Sequence, residues 1–144
     1  MFYIFVHSNK ILRSLSSNPN IFRLSKADNK PLLDFNGETG RFIISGVSNP
    51  ENAAEFYEPI IAWMDEFAKS STPNITLEKK LDYFSTSSSK WILQIMKRFE
   101  ALKSRGIDVK VKWFFHEDDE DLREAGSQYS ELVAIPFELI EFTD

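Results

Sequence analysis

The sequence predicts an α/β domain in which a mixed β-sheet of five to six strands carries three main helices. Three observations lead there. Short stretches of alternating apolar and polar residues interchange with longer stretches of helical periodicity through the second half of the chain, the pattern of strand–helix–strand units. Before them, two apolar runs flank Asn36-Gly37-Glu38-Thr39-Gly40, which reads as a hairpin. The composition, 42% hydrophobic and 14% aromatic with 13 Phe in 144 residues, supplies a core of ordinary size for one domain.

The chain opens on an apolar run, Met1-Phe2-Tyr3-Ile4-Phe5-Val6, with Lys10 and Arg13 after it. A signal peptide has its positive charge first and a longer apolar core, so residues 1–20 are expected to be a poorly ordered extension, with an extra edge strand as the alternative. Ser14-Leu15-Ser16-Ser17-Asn18-Pro19-Asn20 separates it from a single domain over 21–144. Ile21–Leu24 is a first short strand. Leu32–Phe35 and Arg41–Gly46 are the arms of the hairpin.

Asn49-Pro50-Glu51 predicts a helix start, with Asn as cap and Pro at the first helical position. Phe56, Ile60, Trp63, Met64 and Phe67 form its apolar face, and Ser70-Ser71-Thr72-Pro73 ends it near Lys69. Ile75, Leu77, Leu81 and Tyr83 then share one strand face. Lys79 interrupts that face, which points to an edge strand or a snorkelling stem. The next helix runs from a hydroxyl turn to Arg105, with Ile92, Ile95, Met96, Phe99 and Leu102 as its stripe and Gly106 as its C-terminal cap. Val109, Val111, Trp113 and Phe115 alternate as another strand. Glu117–Asp121 leads into a third helix, through Glu131. Ile135–Phe142 is the last strand, with Pro136 at a sheet edge or outside the ladder.

Several chemistries are excluded or disfavoured. A net charge of −5 argues against electrostatic binding to nucleic acid or to an anionic membrane. The absence of Cys removes disulfides, thiolate metal sites and Cys nucleophiles, and is compatible with a reducing cytosol. No apolar run approaches the roughly 20 residues of a membrane span. No Gly lies between Gly46 and Gly106, so the hydroxyl turn is not a phosphate-cradling Gly loop. His116 and the acidic run Glu117–Asp121 lack EF-hand spacing; acidic residues in a first helical turn are explained by the dipole, and neither metal nor cofactor is expected. Lys79, Lys80, Lys110 and Lys112 read as solvated faces.

The stretch Leu81-Asp82-Tyr83-Phe84-Ser85-Thr86-Ser87-Ser88-Ser89-Lys90 remains, a strand end running through consecutive hydroxyls into a helix. Unpaired N–H groups at a helix start favour negative charge, so the turn reads as a phosphorylatable switch. Lys90, four residues after Thr86, is placed to neighbour a phosphate. Two other readings stand beside it. Thr86 or Ser87 is simply the helix cap of a constitutive protein–protein module. Or Ser87-Ser88-Ser89-Lys90, an S-x-x-K match, belongs to a small serine hydrolase using Ser87 and Lys90, against which stands the absence of S-D-N and K-T-G.

Taken together, Ser48-x-Pro50-Glu51-Asn52-Ala53, the Leu81–Lys90 stretch, Trp113-Phe114-x-x-Glu117-Asp118-Asp119-Glu120-Asp121 and Pro136-Phe137-Glu138-Leu139-Ile140 resemble the SiaC-type regulatory phosphoproteins of bacterial biofilm regulation, over roughly residues 21–142. The resemblance implies a fold similar to the anti-sigma-factor antagonists (STAS-like) and a cytoplasmic, non-enzymatic role in partner switching. It also implies the partners: a serine/threonine kinase of the histidine-kinase-like type, a PPM-type phosphatase and an output enzyme. In the named member that enzyme is a diguanylate cyclase, bound by the unphosphorylated form, whose output is cyclic di-GMP. The family's phosphoacceptor Thr falls on Thr86, with Ser87 and Ser88 as possible secondary acceptors or recognition residues. Ser85 stands where the family usually has Asn.

Overall fold

The structure, a computed structural model, describes residues 18–70 and 72–143. The expectation for residues 1–17 lies outside the described residues. A turn closed by the Ile21 N–H on Asn18 O leads into the first strand.

Six strands and three helices follow in the order β1 (Ile21–Leu24), β2 (Leu32–Asn36), β3 (Arg41–Ser48), α1 (Ala53–Phe67), β4 (Ile75–Phe84), α2 (Thr86–Ser104), β5 (Val109–His116), α3 (Glu120–Leu132) and β6 (Phe137–Phe142). The strands lie in the sheet in chain order. β1 to β3 are antiparallel, and β3 to β6 are parallel, each parallel step bridged by one helix. Adjacent crossovers that all advance in one direction and share one hand must lay their helices on one face. The ring contacts agree. Trp63 of α1 and Phe99 of α2 both meet Phe42 of β3, at 6.1 and 5.2 Å, and Tyr129 of α3 meets Trp113 of β5 at 5.2 Å. Phe42, Leu77 and Trp113 thus belong to the covered face. The opposite face carries a polar cluster in which Glu78 holds Arg41 and Lys80 at 2.6 and 3.1 Å.

The core is richest in aromatic rings under α1 and more aliphatic under α2. Phe22, Phe35, Phe42, Trp63 and Phe67 interlock under α1, with Trp63 stacked on Phe67 at 5.2 Å. Ile92, Ile95, Met96, Phe99 and Leu102 of α2 are all buried, as their spacing predicts. Each such side chain contributes about 1.5–3 kcal/mol when removed from water.

Four sequence expectations shift. α1 starts later than Asn49: Asn52 is the cap, its side chain accepting from Glu55 N, and Pro50 precedes the helix. Within α1, Ile60, Trp63, Met64 and Phe67 are buried as expected, but Tyr57 is fully buried and Phe56 only partly, so Tyr57 takes the place on the apolar face expected of Phe56. β4 lies between β3 and β5, which rules out the edge reading of Lys79. Finally, a bulge places Asp82 and Tyr83 opposite Val47, beside Gly46 at φ +96°. One extra residue inverts the alternation, so Tyr83 is 53% exposed and Phe84 turns inward in its place.

The remaining ends follow their signals. Gly106 takes φ +98°, with its N–H on Lys103 O and the Ile107 N–H on Leu102 O, the paired bonds of a Schellman cap. Asp119 caps α3 through Leu122 N. Pro136 sits just before β6, its carbonyl accepting from Val111 N.

Candidate functional site

The bulge delivers Phe84 beside Ser48, so β3 and β4 end together and β4 passes directly into α2. The cap of α2 is Ser85, which accepts from Ser88 N at 3.1 Å. Thr86 and Ser87 are therefore the first two helical residues and not caps, which corrects that alternative. Ser is among the best N-cap residues, on a par with Asn, so Ser85 secures the helix start.

The consecutive hydroxyls have different surroundings. Thr86 and Ser87 are exposed, as is Lys90 one turn on. Ser89 is half-buried and donates to Thr86 O at 2.7 Å. Ser88 is fully buried, so in the folded chain it is not an accessible acceptor. Its Oγ donates to Ser48 O at 3.1 Å and accepts from Ser48 Oγ at 2.8 Å and Ser85 Oγ at 3.1 Å. Ser48 Oγ in turn meets the Tyr57 hydroxyl. Burial raises the Tyr57 pKa, so its hydroxyl stays a neutral donor. The ring of Tyr57 lies parallel to Trp91 of α2 at 6.2 Å. Ser48 and Tyr57 carried no chemical signal of their own in the sequence; Ser48 stood only at the head of a motif, and Tyr57 only at helical spacing from Ile60 and Met64.

Lys79 lies in the same layer. It is completely buried rather than solvated, its Nζ donating to Leu81 O at 3.2 Å and lying 3.8 Å from the Trp113 ring centroid and 5.8 Å from that of Phe84. Burial pushes its pKa down to about 7, with Asp82 and Asp119 opposing. Phe84 and Trp113 both meet Tyr129, whose hydroxyl donates to Ser89 O at 2.8 Å. A continuous packed path thus runs from Lys79 to the first turn of α2.

The acidic run does not converge. Asp119 and His116 line a cleft of 310 Å³ with Lys80, Asp82 and Phe114, while Asp118 stays exposed. Among the described residues no three His, Asp or Glu side chains are grouped to hold a metal ion. No helix of the described residues is long and apolar enough to cross a membrane.

The fold and much of the sequence have relatives. Three solved structures from Pseudomonas aeruginosa superpose, each 24% identical. SiaC in complex with the diguanylate cyclase SiaD, whose activator it is, gives a TM-score of 0.79 over 84% of this chain and 99% of that one. SiaC alone gives 0.76 over 85% and 98%, and apo-SiaC 0.74 over 83% and 98%. An uncharacterized protein of P. aeruginosa strain UCBPP-PA14 is 27% identical over 107 residues, 74% of this chain and 85% of that one. The family model of SiaC family regulatory phosphoproteins matches residues 24–142. The chain belongs to the SiaC family.

Proposed function

We propose that this protein is a non-catalytic regulator in a bacterial partner-switching pair, working in the cytoplasm. Unphosphorylated, it binds and activates a downstream signalling enzyme of the diguanylate cyclase class. Phosphorylation of Thr86 by a histidine-kinase-like serine/threonine kinase releases that enzyme, and a PPM-type phosphatase restores binding.

The observation that carries the reading is the position of Thr86: exposed, at the first residue of α2, in a member of this family. A phosphate there adds about −1.5 to −2 charge and three acceptor oxygens. α2 has no acidic residue in its first turn, unlike α1 and α3, so the positive end of its dipole meets no competing carboxylate. Lys90 is one turn away and exposed. The fold therefore tolerates the modification, while a partner packed over the turn meets a bulky dianion. Exposed Tyr83 supplies an aromatic anchor beside it. Binding switches without a global rearrangement.

The test is intact-mass and peptide mass spectrometry of the protein purified from its own host, before and after a PPM-type phosphatase, with cyclase binding measured in parallel. The reading requires a removable phosphate on the Leu81–Lys90 peptide, absent in Thr86→Ala, and loss of cyclase binding on phosphorylation. Binding that persists unchanged in Thr86→Glu and in phosphorylated protein leaves a constitutive module instead.

A further inference from the structure

The hydroxyls of the turn are sorted, and helical geometry alone does not sort them. Ser85 and Ser88 are three residues apart and share a side, but a serine at a helix start also satisfies itself in water. What draws these two inward lies outside α2. The Ser85 N–H and the Ser88 Oγ both donate to one acceptor, the Ser48 carbonyl at the end of β3, at 2.9 and 3.1 Å. Behind it, Tyr57 of α1 closes the group.

The donors can be followed to the end. Tyr57 O–H donates to Ser48 Oγ, Ser48 O–H to Ser88 Oγ, Ser85 O–H to Ser88 Oγ, and Ser88 O–H to Ser48 O. Every hydroxyl donates once, and the chain ends on a carbonyl. Ser48, Tyr57 and Ser88 have no exposed surface, so withdrawing the Tyr57 or the Ser48 hydroxyl removes a bond of the group where water cannot replace it.

We propose that Tyr57 and Ser48 are positioning residues for modification of this turn: they hold Ser85 and Ser88 inward, so that a modifying enzyme meets the Thr86 and Ser87 hydroxyls and not that of Ser88. This deepens, and rests on, the reading of the turn as a phosphoacceptor. In the transfer the hydroxyl oxygen forms a bond to the terminal phosphorus of a nucleoside triphosphate. The bond to the diphosphate breaks, and the hydroxyl proton passes to a base of the kinase. Ser88 can enter that reaction only after giving up its bonds to Ser48, which leaves the Ser85 N–H bond to the Ser48 carbonyl to fasten the helix start to β3. Selection among neighbouring hydroxyls is thereby built into the substrate.

The test uses the full chain carrying Tyr57→Phe, which keeps the ring against Trp91, and separately Ser48→Ala. Amide hydrogen exchange and site-resolved mass spectrometry after incubation with a serine/threonine kinase and ATP are read together. The loss of a buried hydrogen bond predicts about tenfold faster exchange at the Ser88 and Ser89 amides, with Phe99 and Leu102 unchanged. Phosphate, confined to Thr86 and Ser87 in the unsubstituted chain, spreads to Ser88 in the variants. Unchanged exchange at Ser88 and Ser89 overturns the proposal, and so does faster exchange with an unaltered phosphate distribution. If the unsubstituted chain takes no phosphate, the acceptor reading fails on its own. The sorting of the hydroxyls then stands or falls on the exchange: faster in the variants supports it, unchanged refutes it.

Discussion

Two buried polar sites lie side by side between the sheet and the helices, and they are built in opposite ways. The Ser48–Tyr57–Ser88 group is neutral and closed, each hydroxyl donating to the next. Lys79 is an amine with one carbonyl and the face of Trp113. The first fixes a geometry without burying charge. The second places a titratable group where its charged form is penalised, with the ring face offsetting part of the penalty. Burial of polar groups is therefore not one effect: satisfied hydroxyls constrain, whereas a half-satisfied cation destabilises and responds to pH.

The contrast is most sharply broken at Lys79. The unfolded chain holds this proton up to about pH 10.4, whereas the folded chain sheds it near 7. Between those values the unfolded state binds more protons, so stability rises with pH and is lost again as pH falls toward 7. Lys79→Met is expected to stabilise the protein by about 2–4 kcal/mol at pH 6–7 and by little at pH 10. Urea unfolding at both pH values measures it; a variant no more stable at pH 6 would show that the ammonium is well accommodated.

Gly126 tests the same site from the helix side. A Cβ there would stand 2.6 Å from Trp113 Cδ1 and Nε1. Trp113 is fully buried and donates to Leu122 O, so it cannot swing away. Gly126→Ala should cost about 2 kcal/mol, read as a lower urea midpoint with an unchanged slope. At the hydroxyl site, Ser88→Ala removes two acceptances and one donation at once and should cost about 1–2 kcal/mol, with no pH dependence between 6 and 9. A pH-dependent loss would contradict the neutral account. The smallest change is expected at the exposed cap of α1. Asn52→Ala should cost about 1 kcal/mol and leave exchange at the Ser88 amide unaffected, since the Asn52 side chain accepts from Glu55 N of its own helix.

Legibility in the sequence followed the range of the interactions. The stripe of α2, its Gly106 end, the hairpin and the inward face of β5 were readable because each depends on periodicity or on a turn residue a few positions away. The beginning of α1 lies three residues beyond Asn49 because Asn49-Pro50-Glu51 and Asn52 both carry start signals, and only Asn52 bonds the helix, through Glu55 N. Tyr83 reads as inward in the sequence because a bulge leaves no mark in a pattern of alternation. The cap is Ser85, and not Thr86 or Ser87 as the sequence suggests, since consecutive hydroxyls are equivalent until partners are known.

The sequence by itself determined the elements, their order and the location of the hydroxyl turn, all properties of neighbouring residues and of their periodic exposure to water. Only the tertiary structure decided which hydroxyls face inward, that Lys79 is buried in an interior strand, and that Ser48, Tyr57 and Ser88 form one group. Those contacts join residues 9 and 40 positions apart. Their energy comes from desolvation and mutual saturation of polar atoms, which exist only once sheet and helices have closed over them.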